Sequence, residues 1–514
     1  MAKRKVLSIK KTSERKLVFV NLSIESGYYG VNHGIAYLVP VVRRNSFEIS
    51  VLNVVSEIRD EEFKKQIESL NPSIVGYSCT SLQSKYLVKY SNSISDFSGI
   101  LQIAGGVGPT LDPEANLLRS SVDGIVIGEG EIPLDALLRT INEGGDINHI
   151  PGFYWRRGSE IVKNPIPQFI RDLSELDYPD YKVFDKELVQ IISSLSLMLS
   201  RGCPYSCNYC SNKAIRSVYP SDLGYFRLPP VEYSMTFLEK IIRQYPGTTY
   251  INFEDDLLIA KRSWFLSFAE EYRKRIGMPY RVAVRTECIS EDIVRALKES
   301  GCDAVFLGLE SGNEDFRKKV LNRHHSNSEI IKKSKLIKNA GLKLFTFNIV
   351  GLPFETKQHL RDTFELNKEI GSDCGECSFF YPFPGTELYR VCEREGLLRE
   401  ETEEWSTNFN TRPMIRLTRA HEKECIRAQR RLLNYLCWRD LKYEHWKCCS
   451  SHSWGVAVVN LMRLLTVYLL KRVSSPRKRR SLYRRVMDNR FRIWLWRRLF
   501  RPIFYGQVIS YYYS

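Results

Sequence analysis

Three cysteines in one short stretch have the clearest chemical potential in this 514-residue chain. Cys203, Cys207 and Cys210 lie in the sequence RGCPYSCNYC, a CxxxCxxC pattern that directly follows an apolar run. Three thiolates on one loop bind soft metal centres. A zinc site would need a fourth ligand, and the nearest histidines, His149 and His324, are distant in the sequence. A four-iron cluster held by three cysteines leaves one iron open to a substrate, so the pattern favours an iron–sulfur cluster.

The cysteine loop belongs to a series of strand and helix units over residues 191–400. Apolar runs alternate there with segments of helical period, which predicts parallel strands joined by helices. Six such units predict a curved parallel sheet, a partial (β/α)6 barrel of the TIM type, with the chemistry at the carboxyl ends of its strands. The motifs at those ends are FEDD, VAVRTE, GLESG, VGLP and FPGT.

A second α/β series precedes the barrel over residues 1–140. Parallel strands of an open sheet bind ligands at their carboxyl ends, where small residues let a ligand approach the backbone. The small or polar residues at three successive strand ends are Ser78, Thr80, Gly105, Gly106, Gly128 and Glu129. Residues 141–190 predict a linker with a small hairpin that turns at Gly158 and Ser159, and residues 401–514 predict a mainly helical region with a basic, aromatic tail.

The cysteine loop and the order of the strand-end motifs resemble those of the radical S-adenosylmethionine (SAM) enzymes. The resemblance implies that the three cysteines bind a [4Fe-4S] cluster, that the open iron binds the methionine part of SAM, and that an electron cleaves SAM to a 5′-deoxyadenosyl radical. The residues that the resemblance assigns to SAM binding are Tyr209, Glu254, Asp255, Arg285, Glu310, Ser311, Gly351 and Pro353.

The N-terminal series resembles the Rossmann-like cobalamin-binding domain of one radical SAM subfamily. The matching stretches are GIAYLVPVVRR, PSIVGYSCTS, IAGGVGPTLDPEA and VDGIVIGEGEIPLDALL. The resemblance implies that cobalamin lies across the strand ends, against the six small or polar residues named above. The DxHxxG motif that supplies an axial histidine in other cobalamin proteins is absent, as is usual in this subfamily, and His33 is interpreted as a packing or surface residue.

The combined resemblance implies radical chemistry at an unactivated carbon of a small molecule or lipid, with an electron donor of the flavodoxin or ferredoxin type. A methylase would transfer a methyl group from cobalamin to a substrate radical. A cobalamin-dependent cyclase or oxidative ring-forming enzyme is an alternative with the same two domains. A tRNA methylthiolase would need three more cysteines ahead of the barrel, where Cys79 stands alone. Another alternative is a membrane-recruited binding protein without enzymatic activity. The intact cluster and SAM motifs argue against it.

The net charge of +17 is concentrated near one end of the chain. Residues 471–501 contain thirteen lysines and arginines and one acid, a net charge of +12, which leaves +5 for the rest. The apolar run before them, residues 454–470, falls short of the length that spans a bilayer. The composition of residues 454–514 therefore favours two interpretations: a segment that binds an anionic membrane surface, or an amphipathic helix that packs on the barrel. Binding to a nucleic acid is less favoured. The scattered cysteines predict a reduced, cytoplasmic chain, with peripheral membrane attachment as the alternative.

Overall fold

Two mainly parallel sheets with packed helices make up the described part of the chain. The computed structural model describes residues 15–24, 31–191, 193–399 and 410–450. Each sheet has seven strands, and the chain completes the first sheet before it begins the second. The expected α/β class is confirmed.

The first sheet contains the strands β1 (Lys16–Leu22), β2 (Glu48–Val54), β3 (Ile74–Ser78), β4 (Leu101–Gly105), β5 (Gly124–Val126), β6 (Phe153–Arg157) and β7 (Glu160–Lys163). Its helices are α1 (His33–Arg44), α2 (Asp60–Leu70), α3 (Ser84–Ser93), α4 (Val107–Leu111), α5 (Pro113–Arg119) and α6 (Glu131–Glu143). The strand order is β2-β1-β3-β4-β5-β6-β7, and β1 to β5 are parallel. In a sheet of this order, the direction of winding changes between β1 and β3, and a ligand binds at that switch point.

The hairpin expected within residues 141–190 is present, and it belongs to the first sheet. β6 pairs antiparallel with β5, and β7 pairs with β6. Trp155 of β6 covers Gly124 of β5 so closely that a Cβ on Gly124 would lie 2.6 Å from the indole ring. The first sheet therefore extends past the boundary expected at residue 140, as far as Lys163, because the hairpin covers its otherwise open edge.

The second sheet contains the strands β8 (Gln190–Ile191), β9 (Ser194–Leu197), β10 (Tyr250–Phe253), β11 (Tyr280–Val284), β12 (Cys302–Glu310), β13 (Lys343–Val350) and β14 (Cys374–Phe379). The helices of this half are α7 (Lys186–Val189), α8 (Ser211–Arg216), α9 (Val231–Gln244), α10 (Arg262–Arg275), α11 (Glu291–Glu299), α12 (Glu314–Lys319), α13 (Asn327–Asn339), α14 (Lys357–Glu369), α15 (Glu387–Arg394) and α16 (Arg419–Ser450). β9 to β14 are parallel and neighbour one another in chain order, and the short β8 is antiparallel at the edge. Six parallel strands in chain order form the expected partial barrel.

Burial along the barrel strands alternates residue by residue. In β9, β10 and β11, every second residue is fully buried and the residues between are half-buried. Alternate side chains of a strand point to opposite faces, so the buried set packs beneath the helices and the half-buried set lines the lumen. The concave side of the barrel therefore keeps space for ligands.

The C-terminal region is helical in its described part, as expected. α16 packs against β14 and α14 on the outer side of the barrel. The basic, aromatic segment at 454–514 lies outside the described residues. Within the residues described, no helix combines the length and the apolar character that crossing a bilayer requires.

Candidate functional site

The carboxyl ends of the two sheets face each other. Leu82, just after β3, shares a hydrophobic cluster with Tyr381 and Phe383, which follow β14, and with Met414. α4, which begins at the end of β4, contacts α8, which follows the cysteine loop. Ligands at the two sheet edges would therefore share one space.

The cysteine loop runs from the end of β9 to the start of α8, and Asp255 anchors its first residues. The Asp255 side chain is 2% exposed. Its Oδ1 accepts hydrogen bonds from the backbone N–H of Leu199 (3.0 Å) and from both the backbone N–H and the hydroxyl of Ser200. Burial raises the pKa of Asp255 to about 7, against the opposing effect of these hydrogen bonds. Asp255 thus orients the backbone that leads into the loop, and its expected contact with SAM stays a prediction.

The three cysteines of the loop are free thiols in a largely buried setting. Burial raises the pKa of Cys203 to about 11 and that of Cys210 to about 12, so bound metal is needed to make both sulfurs thiolates. Among the described residues, only one group of three ligand atoms lies within 4.8 Å of one another, and it does not include these cysteines. Sulfurs spread over a wider space suit a multi-iron cluster better than one metal ion, so the loop fits the expected cluster.

Two arginines converge on Cys207. Arg285 donates from Nη1 to the Cys207 Sγ at 2.9 Å, and its guanidinium lies 3.8 Å from the centre of the Tyr205 ring. Arg323 places Nη1 3.9 Å from the same sulfur and donates to the hydroxyl of Tyr209 at 3.2 Å. The sequence motifs identify Arg285 but not Arg323, which lies 11 residues after the end of the GLESG motif and belongs to none of them. Two buried guanidiniums beside the cysteines form a site for a carboxylate, such as that of SAM.

Glu310 closes this cluster from the end of β12. Its Oε1 lies 3.7 Å from Nη1 of Arg323, and the residue has a positive φ of 66° next to an irregularity in the strand pairing. Burial raises the pKa of Glu310, although Arg323 opposes that effect. A Cβ on Gly308 would lie 2.7 Å from Glu310 Oε1, so a side chain there would displace the Glu310 carboxylate. Strained backbone of this kind is common at ligand sites.

The acids of the FEDD motif separate into different surroundings. Glu254 lies 3.5 Å from Nη2 of Arg281 and accepts a hydrogen bond from the Ser196 hydroxyl, which places it on the lumen face of the barrel. Asp256, which the sequence reasoning did not select, interacts electrostatically with Cys203 and Cys210. Asp256 is an exposed residue, although desolvation of its carboxylate by the surrounding protein raises its pKa. Of these acids, Asp256 is the one best placed to bind an ammonium group beside the cluster loop.

Three of the other expected SAM residues shape loops in this structure. Ser311 is fully buried, and its carbonyl accepts a hydrogen bond of 2.6 Å from Arg317. Gly351 has a φ of 76°, and its N–H donates to Glu355 at 2.6 Å. Pro353 is buried in the same turn. Their contacts with SAM stay predictions.

A network of amides occupies the switch point of the first sheet. Asn21 at the end of β1 lies beside Ser78 at the end of β3. Asn32 donates to Asn21 Oδ1 at 3.0 Å and to the Ser78 hydroxyl at 2.9 Å, while Asn21 donates to Asn53 at 3.0 Å. Of these residues only Ser78 was expected at the site, because the three asparagines belong to no recognised motif.

The neighbouring strand end is open and lined by small residues. Thr80 and Gly106 are exposed, and Gly105 is half-buried. Gly106 has a φ of 98°, and a Cβ there would lie 2.7 Å from the carbonyl oxygen of Cys79. The backbone is therefore accessible to a large flat ligand at this edge, which fits cobalamin. His33 is buried against Tyr181, with Nδ1 2.8 Å from the tyrosine hydroxyl, so it is a packing residue as expected.

The end of β5 is in contact with the barrel domain. Glu129 pairs with Arg201 (3.0 Å) and with Arg227, and its backbone N–H donates to the Tyr219 hydroxyl at 2.8 Å. A Cβ on Gly128 would lie 2.5 Å from that hydroxyl. Gly128 and Glu129 thus contact the barrel domain, because the domains pack together at this strand end, and their contacts with cobalamin stay predictions.

Two family profiles match the chain. Residues 197–366 match the Radical SAM superfamily, and residues 21–138 match the B12 binding domain. The two matched ranges correspond to the second and the first sheet and contain every expected site residue.

Known proteins resemble the chain over most of its length. An uncharacterized methyltransferase of Pyrococcus horikoshii is 24% identical over 76% of this chain and 84% of its own. The anaerobic magnesium-protoporphyrin IX monomethyl ester cyclase of Rubrivivax gelatinosus is 22% identical over 69% of this chain and 65% of its own. The structure of OxsB, a cobalamin-dependent SAM radical enzyme, superposes with a TM-score of 0.65 at 16% identity, covering 93% of this chain and 75% of that one. This last likeness supports the fold.

Because Asp255 and Asp256 have different surroundings, we expect their substitution to impair different properties: cluster-loop stability for Asp255 and SAM binding for Asp256. Asp255→Ala leaves the N–H groups of Leu199 and Ser200 without their acceptor. Each unsatisfied buried group lowers the free energy of unfolding by about 1–3 kcal/mol. We expect a lower melting temperature and a lower iron content after anaerobic reconstitution. Asp256→Ala should keep its iron and weaken SAM binding at least about tenfold, because a charged hydrogen bond is lost. Loss of SAM affinity in Asp255→Ala with full iron content would contradict these roles.

If cobalamin binds at the open edge at β3 and β4, a bulky side chain placed there should prevent its binding. Thr80→Trp adds bulk to an exposed position at this edge, so we expect the purified protein to lose retained cobalamin, read by its visible absorbance, without a change in melting temperature. Ser98→Trp is the matched control, since Ser98 is exposed just before β4, at the opposite edge of the same sheet. Equal cobalamin in the two variants would exclude this edge as the binding site.

Proposed function

Because the chain belongs to the radical SAM superfamily and carries a B12-binding domain ahead of its radical SAM domain, we propose that it methylates an unactivated carbon atom of a small-molecule or lipid substrate. The observation that carries the proposal is that the carboxyl ends of both sheets face each other and are in contact. A radical formed at the barrel and a methyl donor held at the first sheet need that proximity. The methyltransferase from Pyrococcus horikoshii, which resembles both domains, supports it.

Different residues of the site would bind the cluster and SAM. When bound, the [4Fe-4S] cluster and SAM supply a 5′-deoxyadenosyl radical and cobalamin supplies the methyl group. The three cysteines of the loop would hold the cluster, and Arg285 with Arg323 would bind the SAM carboxylate. Asp256 would accept hydrogen bonds from the SAM ammonium group. The apolar cluster of Leu82, Tyr381 and Met414 restricts water between the two edges.

The lumen face of the barrel is the proposed substrate site. It combines charged side chains, Glu254 and Arg281, with the aromatic ring of Phe306, which lies 4.8 Å from the Arg281 guanidinium. Such a wall suits a substrate with both polar groups and an apolar body. The electron would come from a flavodoxin- or ferredoxin-type protein, as the family resemblance implies.

Ring formation by a cyclase is the second candidate, and the cyclase of Rubrivivax gelatinosus supports it. The two functions differ in what happens to the methyl group of SAM. A methylase must reload its cobalamin from SAM, whereas a cyclase needs no methyl transfer. Reloading can be measured without knowledge of the substrate.

The test uses the full chain, reconstituted anaerobically with iron, sulfide and cobalamin. With a strong reductant, we expect the protein to cleave SAM to 5′-deoxyadenosine. With methyl-labelled SAM, we expect label on the bound cobalamin. Cys207→Ala should lose SAM cleavage and most of its iron, because one cluster ligand is gone.

The control is Cys392→Ser, which changes a buried cysteine of α15 outside the cysteine loop. It should cleave SAM as the unmodified protein does. Absence of SAM cleavage by the reconstituted protein, or full cleavage by Cys207→Ala, would refute the radical SAM activity. Cleavage without labelled cobalamin would refute methylation and favour the cyclase.

We also propose that residues 471–501 attach the protein to an anionic membrane surface. Their net charge of +12, interleaved with tryptophan and phenylalanine, supports binding to acidic headgroups. The full chain should float with liposomes that contain phosphatidylserine and stay unbound with neutral liposomes. A chain that ends at residue 450 is the control and should not float. Equal flotation of the two chains would exclude the tail as the anchor.

A further inference from the structure

A second set of metal-binding side chains lies away from the cysteine loop. Glu355, from the turn between β13 and α14, meets His421 and Cys425 of α16 on the outer side of the barrel. Their ligand atoms all lie within 4.8 Å of one another. Glu355 and Cys425 are buried and His421 is half-buried. The proposed methylation uses none of the three.

The spacing of the two helical residues suits one metal ion. His421 and Cys425 are four residues apart, so both project from the same face of α16. The Nε2 atom of His421 lies 3.7 Å from the Sγ atom of Cys425. A tetrahedral zinc ion with usual bond lengths to sulfur and nitrogen separates these two atoms by about 3.6 Å.

The third side chain lacks a partner for one oxygen. Glu355 is 6% exposed, and its Oε2 accepts the hydrogen bond from Gly351. Its Oε1 is buried and has no hydrogen-bond partner. Among the described residues, no salt bridge reaches Glu355. A buried carboxylate without a cation is costly, and a metal ion between Oε1, Nε2 and Sγ would remove that cost.

The far side of the histidine ring has the surroundings of a metal ligand. The Nδ1 atom of His421 lies 3.7 Å from Oε2 of Glu424, and Glu424 in turn pairs with Lys357 at 3.1 Å. Metal-bound histidines usually face a carboxylate with their second nitrogen, which sets the orientation of the ring. This arrangement leaves Nε2 directed at the proposed ion.

We propose that Glu355, His421 and Cys425 bind a zinc ion, with water in the fourth position. A thiolate, an imidazole and a carboxylate together favour zinc over magnesium or calcium, which prefer oxygen ligands alone. The ion would join α16 to the turn that also contains Gly351. It would thus fix the C-terminal helix on the barrel and stabilise a loop at the SAM edge.

The experiment measures zinc and iron separately in the full chain with its cluster filled, so that iron occupies the cysteine loop. After removal of loose metal with a chelator and addition of zinc, we expect about one tightly bound zinc per chain by elemental analysis. His421→Ala and Cys425→Ser should each weaken zinc binding at least about tenfold with unchanged iron. Cobalt(II) in place of zinc should give a sulfur-to-metal absorption band that Cys425→Ser removes.

Cys392→Ser is again the matched control, because Cys392 is equally buried but belongs to another cluster. It should bind zinc as the unmodified chain does. Since His421 is half-buried, His421→Ala still decides the question if Cys425→Ser fails to fold. Absence of tightly bound zinc in the unmodified chain, or equal zinc in His421→Ala, would overturn the proposal.

Discussion

The ion pairs at the end of β5 connect the two halves of this protein at the entrance to the cysteine loop. Glu129 pairs with Arg201 and Arg227, and Glu131 pairs with Arg201 at 2.5 Å. Burial alone would raise the pKa of Glu131, but Arg201 holds that pKa below its ordinary value. Removing one partner of a buried pair leaves the other charge without compensation, which strongly destabilises the packing around it. Because Arg201 lies two residues before Cys203, the packing of the first domain also positions the loop.

Two positive charges converge on Cys207 for a physical reason. Arg285 and Arg323 are both nearly buried, and both direct guanidinium groups at Cys207. Two buried cations near each other require negative partners, which Glu287 and Glu310 supply in part. A cluster with thiolate ligands and a SAM carboxylate would add the rest. The site is thus organised for anionic ligands before any are bound.

The sequence predicted those parts of the site that depend on short motifs. The CxxxCxxC spacing identified the loop, and Arg285 and Glu310 follow from their strand-end motifs. Sequence reasoning did not separate Asp255, which anchors the loop backbone, from Asp256, because adjacent acids in one motif cannot be told apart without knowing which one points into the core. It also missed Arg323 and Asn32, since neither belongs to a recognised motif and their contacts with Cys207 and Ser78 span 116 and 46 residues of the chain.

The sequence by itself determined the two α/β series, the six parallel strands of the barrel and the cysteine loop, because hydrophobic period and motif spacing are local properties of the chain. Only the tertiary structure decided that the two sheet edges face each other and that Glu129 joins the domains. It also decided that Glu355 meets His421 and Cys425. The reason is that these contacts link residues far apart in the chain, and their geometry depends on how whole domains pack.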